Sequence, residues 1–129
     1  MLVGRNVLAG QVRAFLDVGQ DAQLVVVIVA GVFDRFPDIE FYFAETNASW
    51  LPWALFVLDD NYEIFRGPFD RKLERLPSEY MKEMYYTTQP MERPNEDWLL
   101  EATFKAMDAE NSLLFATDYP HWDMDLPSL

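Results

Sequence analysis

The sequence predicts an α/β fold in which about three parallel strands alternate with helices. Two observations support this fold class. Short apolar runs alternate along the chain with longer segments whose apolar residues recur at helical spacing. The last apolar run, residues 113–117, leads directly to Asp118, and the Tyr-Pro-His-Trp that follows prevents the strand from continuing. Strands that deliver a polar residue to one edge are typical of parallel sheets with a site at their carboxyl ends.

The first predicted elements lie in residues 24–45. The fully apolar run 24–33 fits a buried strand by its β-branched residues and a buried helix equally well, because periodicity does not separate the two in such a run. Pro37 closes off any helix that precedes it. Residues 39–44 are predicted as the first strand, which ends at Glu45.

A longer helix is predicted next, with Ser49 as its N-cap, Pro52 in its first turn and its end near Phe65. Its apolar residues recur near helical spacing, and they are Trp50, Trp53, Ala54, Val57, Leu58 and Tyr62. Trp50 and Trp53 have two interpretations, as core residues or as stacking partners of a planar substrate. We expect them in the core.

The remaining elements are assigned from caps and proline breaks. They are two short helical turns, a strand, a helix and a last strand, over residues 73–77, 78–84, 85–89, 96–108 and 113–117. Ser78 and Asn95 are the predicted N-caps of the second turn and of the helix. Trp98 and Leu99 lie on the predicted apolar side of that helix.

Composition excludes several function classes. The 129 residues carry a net charge of −12, and no cluster of Lys and Arg is present for binding nucleic acid. The absence of Cys excludes disulfides and a thiol nucleophile. The longest apolar run has about half of the ~20 residues that a membrane-spanning helix needs, and the chain opens without a secretory leader pattern. We expect a cytoplasmic protein that binds neither nucleic acid nor a membrane.

Six sequence blocks, taken together and in order, resemble the amidohydrolase-related family of metal-dependent hydrolases and decarboxylases. They are GVFDRFPD (31–38), FAE (43–45), ASWLPW (48–53), LPSEY (76–80), YTTQP (86–90) and DYPHWD (118–123). The resemblance implies that residues 1–129 form the C-terminal segment of a TIM (β/α)₈ barrel, with the N-terminal strands and the last helix absent. A complete barrel takes about 250 residues. The resemblance also favours a helix for residues 24–33.

The same resemblance assigns site residues. It makes Asp118 a ligand of the catalytic metal and the acceptor of a proton; the alternative is a turn residue that ends a strand. Glu45 stands where many relatives place a catalytic His, so it is a candidate acid/base or ligand-binding residue, or else a solvated loop acid. This departure puts a decarboxylase-type mechanism in doubt. His121, Trp122 and Gln89 are candidates for contacting the substrate or supporting the metal ligand.

The family's other metal ligands, a His-x-His pair and a further His, have no counterpart in this sequence, which contains a single His. The implied cofactor is a divalent metal, zinc by the imidazole character of those missing ligands, with an incomplete site in this chain. We therefore expect a fragment of a hydrolase that acts on a small organic acid or amide and is inactive alone. The alternatives are a carboxy-lyase and a non-catalytic truncated homologue. Exposed sheet edges predict self-association.

Overall fold

The computed structural model describes residues 21–67, 72–122 and 124. Residues 1–20 of the predicted domain and Asp123 of the last sequence block lie outside the described residues. The described elements, in chain order, are helices α1 (Asp21–Val29) and α2 (Val32–Arg35), strand β1 (Tyr42–Phe43), helices α3 (Leu51–Phe65) and α4 (Pro77–Lys82), strand β2 (Tyr85–Thr87), helices α5 (Asp97–Ala106) and α6 (Ala109–Ser112), and strand β3 (Leu113–Leu114).

The three strands form one parallel sheet in the order β1-β2-β3. Phe43 lies opposite Tyr86 on one side, and Tyr86 lies opposite Leu113 on the other. Each connection between strands contains helices, as parallel neighbours require. The predicted order and direction are thus confirmed, and the architecture is that of three consecutive units of a partial (β/α)₈ barrel.

The strands are shorter than the sequence predicts, with two or three paired residues in place of five or six. Before β1, the Ile39 amide donates to the Phe36 carbonyl at 3.1 Å and so belongs to a turn. Beyond the carboxyl ends, the chain bends at Glu45 and Asp118, whose φ angles are 58° and 54°. A strand needs a negative φ, so neither position can continue a strand, and the regular pairing already ends at Phe43 and Leu114.

The core lies between the helices and one face of the sheet. Tyr86 is 1% exposed on that face, where Phe43 and Leu113 pack beside it. Side chains that are fully buried against this face come from several elements, and they are Leu24, Ile28, Leu51, Tyr80, Met81, Met84 and Met107. The opposite face is open, with Tyr42 exposed by 60% and Leu114 by 38%. In a closed barrel that face is the interior.

The ambiguous run 24–33 is helical. It comprises most of α1 and the start of α2, and the break between them lies at Gly31, which has a φ of 64°. Glycine adopts this left-handed conformation at little cost because it has no Cβ. Leu24, Val25 and Ile28 are buried against the core, whereas Val26 of the same helix is 42% exposed.

The predicted N-cap at Ser49 is wrong. Helix α3 begins at Leu51 with Trp50 as the N-cap, and it has no side-chain cap. The Ser49 hydroxyl instead donates to Glu92 Oε1 at 2.8 Å. The Ser49 hydroxyl therefore binds a carboxylate that is distant in sequence, and it does not cap the helix.

The other two predicted caps are also wrong. Ser78 lies inside α4, and its amide donates to Asp59 Oδ1 at 2.8 Å. The first turn of α4 is closed by Glu79, whose carboxylate accepts the Leu76 amide at 2.9 Å. Residues 73–76 form no helical turn. Helix α5 follows Glu96 and not Asn95, and it has no side-chain cap.

Several aromatic side chains that the pattern placed in the core are exposed. Trp53 is 50% exposed and Trp98 is 60% exposed, so the predicted core role of Trp53 is wrong. Trp50 is half-buried and its indole N–H donates to the Thr46 carbonyl at 2.7 Å. No described residue of α5 is buried. Within the described ranges, no helix has the length and apolar character needed to cross a membrane.

Candidate functional site

The carboxyl ends of the three strands bring the predicted site residues to one edge of the sheet. Glu45 follows β1, Gln89 follows β2 and Asp118 follows β3. Neighbouring parallel strands are about 4.8 Å apart, so the two outer strands of this sheet are separated by roughly 10 Å. The carboxyl edge of a parallel sheet is where α/β proteins hold their ligands.

Glu45 is presented at this edge by a bend in the backbone. Its φ is 58°, and Asn47 in the same loop has a φ of 59°. The Glu45 amide donates to Thr87 Oγ1 at 3.1 Å, which fixes the bend against the middle strand. The Glu45 side chain is exposed.

The middle strand ends in two threonines that contact both neighbours. Thr87 Oγ1 accepts the Glu45 amide and donates to the Gln89 carbonyl at 2.9 Å. Thr88 Oγ1 accepts the Ala116 amide at 2.9 Å and donates to the Ala116 carbonyl at 3.1 Å. Gln89 is 5% exposed, so this predicted pocket residue is packed into the strand end.

Asp118 lies in a turn that is closed by a backbone hydrogen bond. The His121 amide donates to the Asp118 carbonyl oxygen at 2.8 Å, so the carboxylate is not the group that makes this turn. The carboxylate is 17% exposed, and its Oδ2 is 3.9 Å from His121 Nδ1. That separation is too long for a hydrogen bond but short enough for electrostatic attraction to a protonated imidazole. The His121 and Trp122 side chains are largely exposed.

The described residues fit one part of a metal site. No group of three or more His, Cys, Asp or Glu side chains in the described ranges is arranged to hold a metal. Asp118 and His121 offer one carboxylate and one imidazole, whereas a catalytic zinc takes about three protein ligands. Within the part of the chain that the structure describes, these side chains alone do not make up a complete zinc ligand set.

Sequence reasoning missed Glu92, whose carboxylate links the loop after β2 to the loop after β1 by hydrogen bonds. Its carboxylate accepts hydrogen bonds from the Ser49 hydroxyl at 2.8 Å and from the Ala48 and Ser49 amides at 3.3 and 3.4 Å. Burial pushes the pKa of Glu92 up, but the Ser49 hydroxyl and the backbone amides outweigh it and lower the pKa below its ordinary value. The partners are 43 or 44 residues away, so no local spacing reveals them.

Comparisons with known proteins agree with this architecture. The model of the amidohydrolase family matches residues 18–128. The chain is similar to the crystal structure of 5-carboxyvanillate decarboxylase LigW from Sphingomonas paucimobilis, with a TM-score of 0.55 and 29% identity. That match covers 74% of this chain and 28% of the other chain, so this chain spans less than a third of that protein. No curated protein sequence matches.

The family is generally metal-dependent and acts on small molecules, and the matched residues include every predicted site residue. The order of the parallel strands and the placement of polar residues after each of them are consistent with this match. The chain belongs to the amidohydrolase family.

Proposed function

We propose that this chain supplies the C-terminal part of a metal-dependent active site that acts on a small organic acid or amide. The observation that carries the proposal is the half-buried carboxylate of Asp118, which lies at the carboxyl edge of the last strand in a chain of this family. Residues 1–129 are proposed as a partial barrel domain. The remaining ligands of the metal, proposed as zinc, lie outside the described residues.

Each site residue has a proposed task. Asp118 holds the metal through one carboxylate oxygen and accepts a proton. His121 lies beside that carboxylate, with Nδ1 3.9 Å from Asp118 Oδ2, and supports the metal ligand. Glu45 gives or takes a proton at its exposed carboxyl group, Trp122 contacts the substrate, and Gln89, which is 5% exposed, supports the strand end behind the site. When bound, a divalent metal supplies Lewis-acid chemistry to such a site.

Two reactions are candidates, and one observation favours each. Hydrolysis is favoured because Glu45 stands where many relatives, decarboxylases among them, place a catalytic His, and this departure counts against a decarboxylase-type mechanism. Non-oxidative decarboxylation is favoured by the similarity to 5-carboxyvanillate decarboxylase at 29% identity. A non-catalytic truncated homologue is the rival from another class.

Partners and location belong to the same proposal. Tyr42 and Leu114 are exposed on the open face of the sheet, and β1 and β3 each have one edge without a partner among the described strands. We propose that this surface associates with further strands of the barrel or with another copy of the chain. A cytoplasmic location is consistent with the absence of Cys.

The first test is to read the gene in frame upstream of Met1. A His-x-His pair there supports the proposed enzyme, and a stop codon without such a pair supports the truncated homologue. The product of the whole reading frame then tests Asp118. The Asp118→Asn variant keeps the size of the side chain and removes its charge, so we expect turnover to fall by at least about a hundredfold.

Asp108→Asn is the matched control. Asp108 also has a left-handed backbone, with a φ of 55°, but it lies before β3 and away from the carboxyl edge. We expect this control to retain turnover close to that of the unmodified enzyme. Near-normal turnover in Asp118→Asn, or equal losses in the two variants, contradicts the role proposed for Asp118.

A further inference from the structure

The carboxyl end of β2 is joined to both neighbouring strands beyond the regular pairing. The last paired residues are Phe43 in β1 and Leu114 in β3. Glu45 and Ala116 each lie two residues further along, and each donates its amide to a threonine hydroxyl of the middle segment. Two consecutive side chains thus replace the backbone ladder at the point where it ends.

Each hydroxyl both accepts and donates a hydrogen bond in these contacts. Thr87 Oγ1 accepts from Glu45 at 3.1 Å and donates to Gln89 at 2.9 Å. Thr88 Oγ1 accepts from Ala116 at 2.9 Å and donates back to its carbonyl at 3.1 Å. A hydroxyl has one donor and can accept at the same time, so a threonine can serve both purposes and valine neither.

The segments held in this way carry two of the four residues other than glycine that have a positive φ in the described ranges. Glu45 has a φ of 58°, and Asp118, two residues after Ala116, has a φ of 54°. A residue other than glycine persists in this conformation only when its surroundings hold it there. The hydrogen bonds from Glu45 to Thr87 and from Ala116 to Thr88 provide such support on the β1 side and on the β3 side of the middle strand.

We propose that Thr87 and Thr88 are positioning residues, which fix the backbone of Glu45 and of the Ala116–Asp118 segment relative to the middle strand. This inference rests on the proposed function of Glu45 and Asp118 at the site. Thr87 serves the β1 side and Thr88 serves the β3 side. Their separate partners make the two contributions separable by experiment.

The test is hydrogen exchange followed by mass spectrometry on the 129-residue chain, with the Glu45 and Ala116 amides as two probes. Valine has the shape of threonine without the hydroxyl. In Thr87→Val we expect the Glu45 amide to exchange about fivefold to tenfold faster, as the loss of one hydrogen bond predicts, with Ala116 unchanged. In Thr88→Val we expect the reverse pattern.

The serine variants are the matched controls. Thr87→Ser and Thr88→Ser keep the hydroxyl, so we expect the slow exchange of the unmodified chain at both probes. Equal acceleration of both probes in either valine variant contradicts the proposal, because the threonine then stabilises the whole sheet. Unchanged exchange in the valine variants, or fast exchange in the serine variants, also contradicts it. The readout needs neither metal nor turnover, so its failure is distinct from failure of the proposed function.

Discussion

Glu92 provides the sharpest prediction about stability near the site. Its carboxylate accepts three hydrogen bonds from Ala48 and Ser49, of which the Ser49 hydroxyl contact is the shortest at 2.8 Å. Glu92→Gln keeps one carbonyl oxygen for the Ser49 hydroxyl. The oxygen that receives the two amides, at 3.3 and 3.4 Å, is then replaced by an NH2 group, which cannot accept them.

The expected loss follows from the number and exposure of these bonds. A hydrogen bond to a charged acceptor contributes about 1.5–3 kcal/mol when buried, but Glu92 is partly exposed and the two amide contacts are long. We therefore expect Glu92→Gln to lower the free energy of unfolding by about 1 kcal/mol at neutral pH. Urea denaturation at fixed protein concentration measures this difference.

The pH dependence of this loss has a definite sign. Because the folded-state pKa of Glu92 is lowered, the carboxylate stabilises the fold above its ordinary pKa, and this stabilisation is lost as the pH falls through the lowered value. The difference between unmodified chain and variant must shrink as the pH falls below the ordinary pKa of 4.5. Glu101→Gln, an exposed acid on α5, is the control, with an expected change within about 0.5 kcal/mol. A loss of the same size at neutral and acidic pH refutes the reasoning.

Two further predictions concern groups outside the site. Tyr86→Phe removes a buried hydroxyl that donates to the Met81 carbonyl at 2.9 Å. We expect the free energy of unfolding, measured by urea denaturation, to fall by about 1–2 kcal/mol. An unchanged free energy of unfolding contradicts a stabilising role for that hydrogen bond. Glu83→Gln breaks the ion pair between Glu83 and Arg75. These two side chains are 53% and 40% exposed, so we expect the free energy of unfolding to fall by less than about 1 kcal/mol. That loss must diminish in about 1 M salt, where screening is strong, and a loss that salt does not change contradicts a surface ion pair.

The sequence correctly predicts which segments form strands and in what order they pair. In an α/β fold, a short apolar run that ends on a polar residue has few interpretations other than a strand. It does not predict where the ladders stop. Glu45 and Asp118 bend the chain through positive φ angles, and nothing in their local sequence requires this. Local patterns also fail at Ser49, because its partner Glu92 is 43 residues away.

The exposed tryptophans show a second limit of pattern reasoning. Helical spacing identifies which residues share a face, but it does not tell whether that face has a partner. Trp98 lies on an apolar side of α5 as predicted, and yet it is 60% exposed. Trp53 is 50% exposed on α3, whereas Ala54 and Leu58 of the same helix are buried. The buried positions are those that meet the sheet-facing core.

The central claim is that these residues carry one carboxylate of a metal site whose other ligands lie elsewhere. The most direct test is a calorimetric titration of zinc into the purified 129-residue chain, with its solution mass and hydrolytic turnover measured on the same sample. We predict affinity no tighter than millimolar order, no turnover and self-association. A stable monomer with micromolar zinc affinity and metal-dependent turnover would contradict the claim, because a complete ligand set would then lie within this chain.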